Sequence, residues 1–135
     1  MKKDIQIRKV KDIGVAILPP EDGNEEAQWE VYLLNLKDAA IENVLVSSRG
    51  YGKIEDEEVN TSVLRHFFER IDPQSYTKVE LISPEVFPLN NEYWVSFSFD
   101  NFLFDQKYTF VRDSISAKMF TEIPLLGRKG VMIGN

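Results

Sequence analysis

Between residues 93 and 111 apolar and polar side chains alternate with a strict period of two. Tyr93, Val95, Phe97 and Phe99 interleave with Trp94, Ser96, Ser98 and Asp100, the pattern of a strand with one face inward. Asp100-Asn101 tolerate positive φ and predict a two-residue turn. The return strand places Phe102, Phe104, Gln106, Tyr108 and Phe110 on one side, with Leu103, Asp105, Lys107, Thr109 and Val111 on the other. One face of the hairpin is almost wholly aromatic, as packing against a second sheet requires.

The same reading extends upstream. Residues 29–36 are apolar on both faces, which predicts a central strand. After a turn at residues 37–40, Ile41 to Ser48 puts Val44 and Val46 on one face and Leu45 on the other. Residues 5–10, 13–18 and 78–82 supply further strands. Breakers at Pro19-Pro20, Gly50-Tyr51-Gly52, Asp72-Pro73, Ser83-Pro84 and Pro88 to Asn91 separate them.

Residues 63–71 carry two patterns. Leu64, Phe67, Phe68 and Ile71 recur at helical spacing behind Asn60, Thr61 and Ser62, which could cap a helix. As a strand, the segment shows Leu64, His66 and Phe68 on one face, with Val63, Phe67 and Ile71 on the other. The all-β surroundings favour the strand. The expected fold is therefore all-β: an antiparallel sandwich of about seven to nine strands, with room for one short helix. A single domain spans 1–135, in which 121–135 is a C-terminal tail packing on the domain or on a partner.

Charge and composition narrow the function classes. The 135 residues suit one domain, and a net charge of −6 gives no electrostatic footing to nucleic-acid or anionic-membrane binding. With no cysteine there is no disulfide, thiolate metal site or thiol nucleophile. Asp4, Gln6 and Arg8 interrupt any apolar run after Lys2-Lys3, so a secretory leader is not expected and a cytoplasmic location is. No stretch approaches the roughly 20 apolar residues that span a bilayer.

Candidate chemistry is sparse. His66 is the only histidine, and a general base needs an orienting carboxylate. Glu69, three residues on, falls on the opposite face of a strand, so a structural role is expected for His66. The acidic runs Glu21 to Glu26 and Glu55 to Glu58 lack the ligand spacing of a calcium loop and read as solvated loops. Gly127-Arg128-Lys129-Gly130 is a weak candidate anion nest, better read as a turn. No catalytic residue, metal or cofactor is expected. Two aromatics are candidate ligand platforms: Trp94, beside Ser96 and Ser98, and Tyr51 in its glycine loop. Val131, Met132 and Ile133 form an apolar stretch that would be costly in water and is a candidate partner-binding segment.

The run Tyr32-Leu33-Leu34-Asn35 through Ile41-Glu42-Asn43-Val44-Leu45-Val46 resembles the second and third strands of immunoglobulin-like sandwiches. Asp72 to Ser75 ahead of Lys78 to Leu81, together with the aromatic hairpin, continues the likeness. It implies an architecture and no activity. Gly50-Tyr51-Gly52, Leu64-Arg65-His66-Phe67, Pro84-Glu85-Val86-Phe87 and Asn90 to Phe97 are similar to a family of small bacterial proteins. Some members carry a label associating them with the phenylalanyl-tRNA synthetase α subunit. A synthetase core needs paired arginine motifs on a sheet within a far longer domain, and the arginines here show no such arrangement. The resemblance implies no known site. The function expected is a non-enzymatic interaction or structural module that docks on an unidentified protein or a second copy. The alternative is a small-ligand or carbohydrate-binding domain using the exposed aromatics.

Overall fold

A computed structural model describes residues 9–135 and forms two antiparallel sheets. The ten strands are β1 Ile13–Leu18, β2 Trp29–Asn35, β3 Ile41–Ile54, β4 Glu57–Asn60, β5 Leu64–Ile71, β6 Ser75–Ile82, β7 Asn90–Phe99, β8 Phe102–Phe110, β9 Thr121–Ile123 and β10 Arg128–Gly134. The expected strand at residues 5–10 falls largely outside the described residues. Among these residues the only helical pieces are two short 3-10 turns, at Pro84–Val86 and Ala117–Met119. Among the described residues no helix is long and apolar enough to cross a membrane.

Sheet I runs β6-β2-β1-β10-β9. Sheet II runs β3-β7-β8, with β4 and β5 pairing successive stretches of β3. The core lies between them. Val15 and Ile17 of β1, Val31 and Leu33 of β2, Val44 and Val46 of β3, and Tyr93, Val95 and Phe97 of β7 interdigitate there. The apolar outer side of β1 and β2 has its own cover, a second cluster of Ala16, Leu18, Tyr32, Leu34 and Ile123. A strand apolar on both faces therefore means a sheet packed on both sides.

Two irregularities set which residues face inward. Asn43 adopts φ +51°, and the β3–β7 register shifts between Glu42 and Leu45. This bulge reverses the alternation, so Ile41 and Val44, three apart, are both buried. Opposite it, Ile71 pairs with Ile41 and Phe68 with Val44. The helical spacing of Phe68 and Ile71 is thus a strand crossing the bend. In β6 the register shifts against β2 at Val31/Tyr32, so Val79 is the extra residue and Glu80 sits opposite inward-facing Val31.

The aromatic hairpin forms as its alternation predicts. Tyr93 pairs with Tyr108, Phe97 with Phe104 and Phe99 with Phe102 across a turn whose Asp100 and Asn101 have φ of +53° and +64°. Buried Asn35 donates from Nδ2 to the carbonyls of Ala39, Ile71 and Asp72. It ties the ends of β2 and β5 to the turn that leads into β3.

The segment 121–135 is no appended tail. β9 and β10 form a hairpin, and β10 lies inside sheet I, pairing Val131, Met132, Ile133 and Gly134 with β1. Val131, read as partner-binding, is 6% exposed and belongs to the core. Met132 packs on the outer cluster and Ile133 on the core margin. The reason is geometric: a Gly-bounded turn after Ile123, with Leu125 and Gly127 at φ +69° and +63°, folds the chain back on itself.

Burial pushes the Tyr108 phenol up to about 12 from an ordinary value of 10. The fold therefore holds the neutral phenol, while the unfolded chain ionises from pH 10 upward. Stability from this group is complete below pH 10 and declines as pH rises towards 12, by an amount on the order of 2–3 kcal/mol. Chemical denaturation across that window is expected to show the decline, and Tyr108→Phe to lessen it by this group's share, the buried Tyr93 phenol keeping its own.

Candidate functional site

The outward face of sheet II is built from alternate residues of its four longest strands. One cross-strand row reads Arg65, Ser47, Trp94, Lys107, and the next Phe67, Leu45, Ser96, Asp105. The serines are too small to cover their neighbours, so Trp94 is 43% exposed and Phe67 62%. Lys107 Nζ lies 4.6 Å from the centre of the Trp94 ring. Arg49, two residues beyond Ser47, stacks 4.5 Å over Tyr51 and bonds Glu92 at 3.4 Å. Both aromatics singled out in the sequence thus share this face, roughly 13 Å apart along β3 at the strand rise of 3.3 Å per residue. Each carries a cation over its ring. A cleft of about 310 Å³ beside Trp94 is lined by Ser47, Arg49, Val63, Arg65, Glu92 and Lys107.

Around the strand edge lies a second polar site, at the seam between β5 of sheet II and β6 of sheet I. Glu80 Oε1 accepts from His66 Nε2 at 2.7 Å and from the Ser48 hydroxyl at 2.9 Å, and Oε2 accepts from the Tyr93 hydroxyl at 3.0 Å. A carboxylate only accepts, so Nε2 of the ring is the donor in this bond. Burial, reinforced by the Glu80 charge and hydrogen bond, pushes the Tyr93 phenol well above its ordinary range. A pocket of about 210 Å³ opens beside this cluster, bordered by Ser48, Gly50, Thr61, Glu80, Ser83 and Tyr93. Its carboxylate is the orienting partner for His66 that the sequence placed nowhere. Glu69 lies on the other face of β5, while Glu80 reaches the ring from the opposite sheet. Only the Val79 bulge turns Glu80 inward, and nothing in the local alternation announces it.

Of the remaining candidates, the acidic runs Glu21 to Glu26 and Glu55 to Glu58 lie exposed, while the arginine of the glycine-flanked turn is held in structure. Arg128, from the proposed anion nest, donates to Glu30 at 3.0 Å and to the Pro19 carbonyl at 2.8 Å. Burial alone would raise the Glu30 carboxyl. Hydrogen bonds from Lys78, Arg128 and Tyr32 outweigh it and hold the group below its ordinary value. Among the described residues, no group of three or more His, Asp or Glu side chains converges as a metal cage. No family model and no curated protein matches the chain.

Proposed function

We propose that the protein is a non-enzymatic interaction module of immunoglobulin-like architecture that recognises an acidic segment of a partner protein through the outer face of sheet II. Strand order supports the architecture: β6-β2-β1 opposes β5-β3-β7-β8, a sequence of hairpins and crossings like that of immunoglobulin-type sandwiches, with the β9–β10 hairpin added beside β1. The Glu80 cluster supports a binding role over hydrolysis. His66 and Ser48 both bond the same carboxylate oxygen, whereas a relay needs the imidazole between hydroxyl and acid.

One observation carries the assignment of the face. Trp94 stands half exposed beneath Lys107, in a cleft where Arg49 and Arg65 leave Glu92 outnumbered by three cations to one. On a chain of net charge −6, this concentration of positive groups beside exposed Leu45 and Phe67 suits carboxylates flanking an apolar side chain. Trp29 is buried, so a change in tryptophan emission on binding reports Trp94. A synthetic peptide alternating Glu and Phe is expected to shift that emission, with affinity falling as salt rises. A Lys/Phe peptide should not. Arg65→Glu is expected to weaken binding about tenfold, the scale of one or two charge-assisted contacts, and Trp94→Ala to remove it by anisotropy. Equal response to both peptides overturns the reading. A response to glucuronate in place of the peptide turns it towards a small acidic sugar.

A further inference from the structure

A carboxylate withdrawn from water needs a cation or several donors to compensate its charge. Glu30 holds Lys78 and Arg128, and Glu92 holds Arg49. Glu80 is as sheltered, its side chain 11% exposed, yet among the described residues no lysine or arginine pairs with it. Its donors are Ser48 and His66 at Oε1 and Tyr93 at Oε2. The Tyr93 hydroxyl is held neutral by burial. A carboxylate offers about four acceptor positions, so three donors leave one vacant, on Oε2.

The pocket beside this cluster gives that position an occupant's space. Glu80, Ser48 and Tyr93 belong to its wall, whereas His66 does not. Leu64, Leu81, Ile82 and Val86 supply apolar surface, and Leu64 and Leu81 are each 49% exposed. Arg49 also borders the pocket, but its guanidinium is engaged with Tyr51 and Glu92 on the outer face. The pocket lies at the Asn91 end of β7, while Lys9, where the described chain begins, lies beside Phe99 at the other end. Its volume of about 210 Å³ is below the roughly 300–1,000 Å³ of sites for drug-sized ligands. An apolar enclosure with one carboxylate in its wall fits a short hydrocarbon chain with a cationic head.

We propose that this pocket binds a small primary alkylammonium ion, with the ammonium on Glu80 Oε2 and the chain along Leu64, Ile82 and Val86. An ammonium has three donors and no acceptor. Oε2 takes one of them. The hydroxyl oxygens of Ser48 and Tyr93 keep acceptor capacity while donating to the carboxylate, so they can take the others. The ligand thereby brings Glu80 the strong cation that Glu30 and Glu92 find within the chain. This goes beyond the recognition face proposed above. That face presents cations to an acidic ligand, this pocket presents an anion, and the two clefts share only Ser48 and Arg49.

Titration with pentylammonium chloride, followed by amide NMR, is expected to shift Gly50, Thr61 and Ser83 and to leave Trp94 and Lys107 in place. Pentanol has the same chain without the charge and is expected to bind about tenfold more weakly, the scale of one charge-assisted hydrogen bond. Pentanoate is expected not to bind. Glu80→Gln keeps the shape of the side chain and removes its charge, and a folded variant is expected to lose about tenfold in affinity. Leu81→Lys leaves the Glu80 bonds intact and tethers an ammonium at a half-exposed wall of the pocket. It is expected to exclude pentylammonium whether or not the Glu80→Gln chain folds. Trp94→Ala, which removes peptide binding, leaves pentylammonium binding unchanged, so the two readings fail separately. A wild-type chain that shows no shifts at tens of millimolar pentylammonium overturns the proposal. So does equal binding of pentanol, or undiminished binding to Leu81→Lys or to folded Glu80→Gln.

Discussion

Removing residues 128–135 is expected to abolish cooperative unfolding. β10 supplies the strand on the free side of β1, pairing Gly14 to Ile17 residue by residue. Without it those backbone groups lose their ladder at the middle of a sheet whose neighbouring side chains are almost wholly buried. Each unpaired buried group costs about 1–3 kcal/mol, and loss of Val131 from the core about 1.5–3 more. β9, which pairs only with β10, goes too. The sum is at least about 5 kcal/mol, comparable with the whole stability of a domain of this size. Calorimetry of the truncated chain should show no unfolding endotherm, and a sharp transition at the wild-type midpoint would refute the placement of β10. Gly130→Val tests the same point with the chain intact. A Cβ there would stand 2.6 Å from the Ile17 carbonyl oxygen and 2.8 Å from Leu18 Cγ, so the strand must move away from β1 and the midpoint should fall.

The parts of this fold that were legible in the sequence are those governed by local alternation. The hairpin read over Tyr93 to Val111 follows from its period of two and from the Asp100-Asn101 turn, its first strand starting three residues earlier at Asn90, and β2 reads as central because both its faces are apolar. What was obscure has a common origin in shifts of register. The Asn43 bulge breaks the alternation of β3 and imposes on β5 an inward Phe68 and Ile71, which in sequence mimic a helical stripe. The Val79 bulge turns Glu80 towards His66, a contact between strands of different sheets that spacing along the chain cannot reveal. The C-terminal stretch, read as a tail packing on the domain or on a partner, packs on the domain as a paired strand. Gly127 to Gly130 read as a turn; Gly127 makes it, while Gly130 already lies in the strand and is required by close approach of β1. On the outer face of sheet II, Trp94 and Tyr51 were legible as candidate platform aromatics. The cations over both rings come from neighbouring positions in the folded sheet: Lys107 by cross-strand pairing with Trp94 and Arg49 by a two-residue step from Tyr51 on one face of β3.

Glu80→Ala is expected to destabilise the protein by about 3–5 kcal/mol, through the groups it leaves behind more than through the charge it removes. The Tyr93 phenol is 1% exposed and Ser48 is also buried, and Glu80 is the acceptor that both hydroxyls use. Water reaches the half-exposed His66 more readily, so its share of the penalty is the smallest. The diagnosis separates from simple loss of packing by a double-mutant cycle. Tyr93→Phe removes a hydroxyl whose acceptor is present in the wild type and absent in the Glu80→Ala chain. It should therefore cost about 1 kcal/mol in the first background and little or nothing in the second, a coupling of about 1–3 kcal/mol when the relief of an unpaired phenol is included. Urea midpoints of the four chains measure it. Additive losses would mean that Glu80 merely fills space at the seam. Coupling would identify the carboxylate as the polar clasp between β3, β5 and β7 on one sheet and β6 on the other, which leaves His66 and Ser48 committed to holding the sandwich together.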